Sequence, residues 1–144
     1  MHFVTGGAFN GKSKWINEYY QLRDTPHVWI SGYHEAAIPE KPPTVESIIV
    51  MEGIEVWLKF WTEQLNIQEA RARWQLFLHS WLQWEKETVK RKIVLIGTDI
   101  SKGIVPMLPE QRKWRDMTGW AYQDAVKVAE RVDLIWYGIN QQIK

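Results

Sequence analysis

The chain has 144 residues, 18 basic against 17 acidic side chains, a formal charge of +1 and no cysteine. This length fits one domain, spanning 1–144, with a real core, and the balanced charge leaves no overall footprint for DNA, RNA or an anionic membrane. Without cysteine there are no disulfides, thiolate metal sites or cysteine nucleophiles, and with no signal peptide or spanning segment in the sequence the expected location is cytoplasmic.

Residues 1–5 are apolar enough for a first strand, and the run Gly6, Gly7, Ala8, Phe9, Asn10, Gly11, Lys12, Ser13 follows at once. It spells G-x-x-x-x-G-K-S. Glycines let the backbone wrap so that its N–H groups converge on phosphate oxygens, the lysine reaches the β- and γ-phosphates, and the serine hydroxyl sits on Mg²⁺. A helix from Gly11 to about Arg23 adds the positive end of its dipole. All eight residues are therefore expected to hold a nucleotide, with Lys12 acting on the reacting phosphate and Ser13 on the metal.

Asp24-Thr25-Pro26 ends that helix, and His27–Ser31 reads as a second strand. The stretch from Gly32 to Thr44 carries three prolines and is expected to be a loop. Residues 47–51 form a near-continuous apolar strand of the buried parallel type, ending at Glu52-Gly53. An acid at the carboxyl end of a strand beside a phosphate loop suits Mg²⁺ or its water shell, so Glu52 joins Ser13 as a metal candidate.

Between about Glu55 and Lys90 the spacing predicts two helices, split near Asn66, whose charged residues are expected on solvated faces. The chain has ten tryptophans. Trp57, Trp61, Trp74, Trp81 and Trp84 fall at helical spacing here, which favours core or subunit contact over stacking on a ligand. Residues 92–97 give another buried strand with Thr98-Asp99 at its carboxyl end, the edge where open α/β sheets place ligands. A turn at Gly103–Pro106, a helix from Glu110 to about Arg131, a strand over Val132–Gly138 and a short tail complete the alternation of an α/β chain. His2, His27, His34 and His79 show no metal-ligand spacing, and no G-x-S-x-G supports a hydrolase.

Two blocks resemble the bifunctional adenosylcobinamide kinase / adenosylcobinamide-phosphate guanylyltransferase family. One is Val4–Ala8 running into Gly11-Lys12-Ser13, similar to that family's T-G-G-A and G-K-S. The other is Gly103-Ile104-Val105-Pro106 with Arg112, Trp114-Arg115-Asp116, Gly119, Gln123, Asp133 and Gly138, where the family has G-I-V-P and, ten residues on, F-R-D. The segment Ile48–Glu52 with Trp57-Leu58 also looks like the family's third strand, with Glu52 at its usual aspartate. The resemblance implies a three-layer P-loop NTPase (RecA-like) fold with a mostly parallel central sheet. It also implies transfer of the NTP γ-phosphate to a cobinamide hydroxyl in cobalamin biosynthesis, with Lys12, Glu52 and Asp99 catalytic, Mg²⁺ with ATP or GTP as cofactor, adenosylcobinamide as partner and a homotrimer. Arg115 and Asp116 have either a functional role or that of a helix ion pair.

The chain departs from the family where the guanylylated histidine should stand. Gly32–Thr44 is too short and proline-rich for that helix, and His34 matches neither its spacing nor its surroundings, so guanylyltransferase activity is expected to be lost. The alternative is a catalytically degenerate nucleotide-binding protein with a regulatory or assembly role. Nothing resembles a guanine-reading N-K-x-D motif, which leaves ATP and GTP both open.

Overall fold

A computed structural model describes residues 1–34, 37–40, 42 and 47–144. The strands are β1 (His2–Gly6), β2 (His27–Ser31), β3 (Ile48–Glu52), β4 (Lys92–Thr98), β5 (Arg131–Trp136) and β6 (Ile139–Gln142). The helices are α1 (Lys12–Tyr19), α2 (Ile54–Gln64), α3 (Ile67–Lys86) and α4 (Pro109–Val128). One six-stranded sheet runs in the order β2-β3-β4-β1-β5-β6, parallel throughout except for β6. This is the expected α/β fold with a mostly parallel sheet.

Alternation along the strands divides the core in two. Phe3, Ile49, Met51, Ile93, Leu95 and Val132 face one way and pack with α2, α3 and α4. Val4, Val50, Val94, Ile96 and Ile135 face the other and meet Ile16 of α1 and Leu22 just beyond that helix. Helices thus cover both faces, giving three layers. The tryptophans at helical spacing are core: Trp74 and Trp81 are fully buried, and Trp57, Trp61 and Trp84 nearly so. Trp74 stacks on Phe77 and donates its indole N–H to the Ala121 carbonyl at 2.8 Å, which ties α3 to α4.

Four expectations change. The first helix stops at Tyr19 because Gln21 turns left-handed at φ 49° and carries Leu22 into the core. The last helix ends at Val128, since the Glu130 N–H bonds the Met1 carbonyl and Arg131 already pairs with His2. Gly32–His34 is one turn of 3-10 helix rather than loop, and residues 35, 36, 41 and 43–46 of the expected loop and its flank lie outside the described residues. The last strand ends at Trp136, and the tail turns back through Tyr137-Gly138 to add β6 to the sheet.

Candidate functional site

Parallel pairing places the carboxyl ends of β1, β3 and β4 side by side, so Gly6, Glu52 and Thr98 share one edge although the chain separates them widely. Gly6 leaves β1 at φ 150°, and a Cβ there would lie 2.2 Å from the Ile135 carbonyl oxygen. Only glycine lets the chain leave the sheet against β5. Gly11, left-handed at φ 87°, starts α1 without a side-chain cap, so the first N–H groups of that helix are left for an anion.

Lys12 is buried, with its ammonium donating to the carbonyls of Gly7 at 2.8 Å and Gly6 at 3.3 Å. An ammonium has three donors, so one remains for a phosphate oxygen. Burial lowers the pKa of Lys12 from its ordinary value, and the nearby Glu55 and Glu52 carboxylates oppose that shift. Ser13 donates its hydroxyl to Glu52 Oε1, and the Trp29 indole N–H donates to Glu52 Oε2 at 3.1 Å. Glu52 is thus aimed from both sides.

Glu55, expected on a solvated helix face, is buried in the first turn of α2. Its Oε2 accepts the Thr98 N–H at 2.9 Å and the Tyr122 hydroxyl at 3.2 Å, and its Oε1 accepts the Tyr33 hydroxyl. Its carbonyl takes the Trp114 indole N–H at 2.7 Å. Tyr33 reaches on to the Thr98 hydroxyl at 3.0 Å. Burial and the bonded Glu55 push the Tyr33 phenol above its ordinary value, and burial pushes Tyr122 up further, so both stay protonated donors.

A cleft of about 690 Å³ is walled by the phosphate loop from Ala8 to Lys14 on one side, and by Tyr33, Glu52, Glu55, Thr98 and Trp114 on the other. Lys12, Ser13 and Glu52 therefore meet at its floor. Asp99 does not join them. Its Oδ1 accepts from the Ser101 N–H at 2.9 Å and hydroxyl at 2.5 Å, and its carboxylate is not part of the cleft wall. Its backbone N–H instead braces the Gly6 carbonyl at 2.9 Å. Arg115 and Asp116 lie 3.9 Å apart outside the cleft, and of that run only Trp114 enters.

Sequence reasoning missed Glu55, Tyr33 and Tyr122. Glu55 had one signal: it stands three residues after Glu52, on the first turn of an apolar helix that must pack on the sheet.

Mg²⁺ keeps several waters and takes few protein oxygens, so the adjoining Ser13 hydroxyl and Glu52 carboxylate beside a phosphate cradle fit it. No cluster of three or more His, Asp or Glu suited to a metal occurs among the described residues, so the chain offers no all-protein cage. No helix among them is long and apolar enough to cross a membrane.

A family model described as cobinamide kinase / cobinamide phosphate guanyltransferase matches residues 33–143. The match takes in Tyr33, Glu52, Glu55, Thr98 and Trp114, while the phosphate loop lies ahead of it and rests on its own motif and geometry. No curated protein matches the chain.

Proposed function

The chain belongs to the cobinamide kinase / cobinamide phosphate guanyltransferase family, and on that premise we propose that it is a kinase: it binds a nucleoside triphosphate at Gly6–Ser13 and transfers the γ-phosphoryl group to a cobinamide hydroxyl. Nucleotide binding and cobalamin biosynthesis come with the family. The observation that carries the kinase reading is the cleft itself, which opens from Lys12, Ser13 and Glu52 towards Trp114 with room for an acceptor alcohol.

In this reading the acceptor oxygen forms a new bond to the γ-phosphorus while the bond to the β–γ bridging oxygen breaks. The bridging oxygen leaves with the electron pair on the nucleoside diphosphate, and the hydroxyl proton passes to water. Such a transition state needs positioning and charge stabilisation more than covalent help from the protein. The α1 N-terminus and the loop N–H groups hold the phosphates, and Lys12 turns its remaining donor on the charge that develops. Ser13 and Glu52 would hold Mg²⁺, which supplies charge neutralisation between the phosphates when bound. Glu55, with every described donor around it engaged, fixes Tyr33, Thr98 and Trp114 as the acceptor wall.

The loss of guanylyl transfer has its own support. A phosphoramidate needs an accessible imidazole in line with the α-phosphate, and none of the four histidines lines the cleft. His2 is buried against Asp133 on the α1 face, and His27 opens β2 at the opposite edge of the sheet.

The test measures release of ADP or GDP with Mg²⁺, with and without adenosylcobinamide. Acceleration by the acceptor, abolished in Lys12→Ala, is the expected result. Nucleotide binding without acceleration would instead favour the degenerate binding protein, and a calorimetric blank for both MgATP and MgGTP would remove both readings.

A further inference from the structure

The β5–β6 hairpin closes with a two-residue turn, Tyr137-Gly138, with φ values of 51° and 79°. Two-residue hairpins of this hand require φ > 0 at both positions, where Asn, Asp and Gly are at ease and an aromatic residue is strained by about 1–2 kcal/mol. Tyr137 nevertheless stands there, and the residue is 79% exposed, so burial does not offset the strain. An outlier of this kind is the sort that functional sites retain.

The turn is latched to the phosphate loop. The Gly138 N–H donates to the Asn10 carbonyl at 2.8 Å and the Tyr137 N–H to the Asn10 side-chain oxygen at 3.2 Å. Gly11 stands so near that a Cβ on it would lie 3.5 Å from the Gly138 Cα. The backbone that carries Tyr137 is therefore fixed relative to the phosphate loop. Trp136 meets Tyr137 edge-on at 5.7 Å between ring centroids, and the Lys102 ammonium lies 4.0 Å from the centre of the Trp136 ring.

Strand order decides which end of a nucleotide reaches this turn. Glu52 and the cleft lie on the β3–β4 side of β1, and the hairpin lies on the other side, beyond β5. A triphosphate whose γ end faces Ser13 and Glu52 must carry its nucleoside away from the acceptor, towards β5. We propose that the Tyr137 ring is the platform on which the base of the bound nucleotide stacks. This rests on the nucleotide-binding reading of the loop and adds to it how the base is read. Stacking on a ring face engages the π-face that every base has, so the platform takes adenine and guanine alike.

The test uses Tyr137→Asn, which removes the ring but suits the left-handed backbone, and Tyr137→Phe, which keeps the ring. MgATP, MgGTP and magnesium tripolyphosphate, which has no base, are titrated calorimetrically into each full-length protein. Tyr137→Asn is expected to weaken both nucleotides about tenfold, to leave tripolyphosphate unchanged, and to be matched by no loss in Tyr137→Phe. Nucleotide affinity within twofold of the unsubstituted protein in Tyr137→Asn, or an equal loss for tripolyphosphate, would overturn the platform and leave the phosphate site standing. Failure of the unsubstituted protein to bind any of the three would overturn the phosphate site as well.

Discussion

Ser13 at the start of α1 and Glu52 at the end of β3 are joined by a hydrogen bond, with the serine hydroxyl donating and the Trp29 indole holding the other carboxylate oxygen. A metal that served the nucleotide would take its protein oxygens from this pair. Glu52→Gln keeps the shape and removes the charge. The ratio of nucleotide affinities with and without Mg²⁺ should then fall about tenfold; an unchanged ratio would free Glu52 of any metal role.

Glu55 joins four elements through one carboxylate, taking donors from the Tyr33 turn, β4 and α4 while itself standing on α2. Removing it leaves the half-buried Thr98 N–H without its acceptor and the Tyr33 hydroxyl without its carboxylate, while the Tyr122 hydroxyl keeps the Thr98 carbonyl at 2.9 Å. We expect Glu55→Ala to lower unfolding stability by roughly 2–4 kcal/mol, and Glu55→Gln by less, because the amide oxygen still accepts. Urea melts of the two variants give the comparison, and equal, small losses would show that the carboxylate does not organise the cleft wall.

Gly6 has no space for a side chain, with the Ile135 carbonyl oxygen 2.2 Å from where a Cβ would stand. The obstacle is backbone, which cannot swing aside as a side-chain end can. Gly6→Ala should therefore cost roughly 1–3 kcal/mol or more and loosen tripolyphosphate binding together with nucleotide binding, since the loop itself is displaced. A variant with native stability and affinity would contradict the close approach of β5.

His2 is fully buried, with Nδ1 2.9 Å from the Tyr20 hydroxyl and Nε2 2.8 Å from Asp133, and with the rings of Trp15 and Tyr19 against it. Burial lowers its pKa from 6.5 to about 4, against the pull of Asp133, whose charge is shared with Arg131; Lys92 and Arg131 also act to lower it. The unfolded chain then binds a proton before the folded one does. This stability is fully present above about pH 6.5 and is lost as pH falls towards 4, by roughly 2–3 kcal/mol at pH 4.5. For Asp133, burial alone would raise the pKa, but the bonds from Arg131, Asn140 and His2 outweigh it and hold it below the usual carboxylate range, so its own loss comes at still lower pH. Urea unfolding at pH 7 and pH 4.5 should show the difference in the unsubstituted protein and a flatter dependence in His2→Asn. No change between the two pH values would contradict a neutral buried imidazole.

The sequence by itself determined whatever depends on neighbours along the chain. Gly6–Ser13 declared a phosphate loop because every part of that device is contiguous, and the apolar runs at β3 and β4 declared buried strands because their hydrophobicity is unbroken. Tryptophans at helical spacing pointed to core or subunit contact, and the packing of α2 and α3 on the sheet made them core. Glu52 was legible too, as an acid at a strand end.

The tertiary structure decided which distant groups meet. Asp99 and Glu55 are both acids near a strand end. The local turn after β4 ties the Asp99 carboxylate to Ser101, whereas packing of α2 on the sheet drives Glu55 under Thr98, Tyr122 and Tyr33. Charge alone made Glu55 look solvent-facing, because the donors that satisfy it come from elements far along the chain. Tyr137 belongs to the same class: its backbone is held beside the phosphate loop only because β5 pairs with β1 and the turn after it is bonded to Asn10.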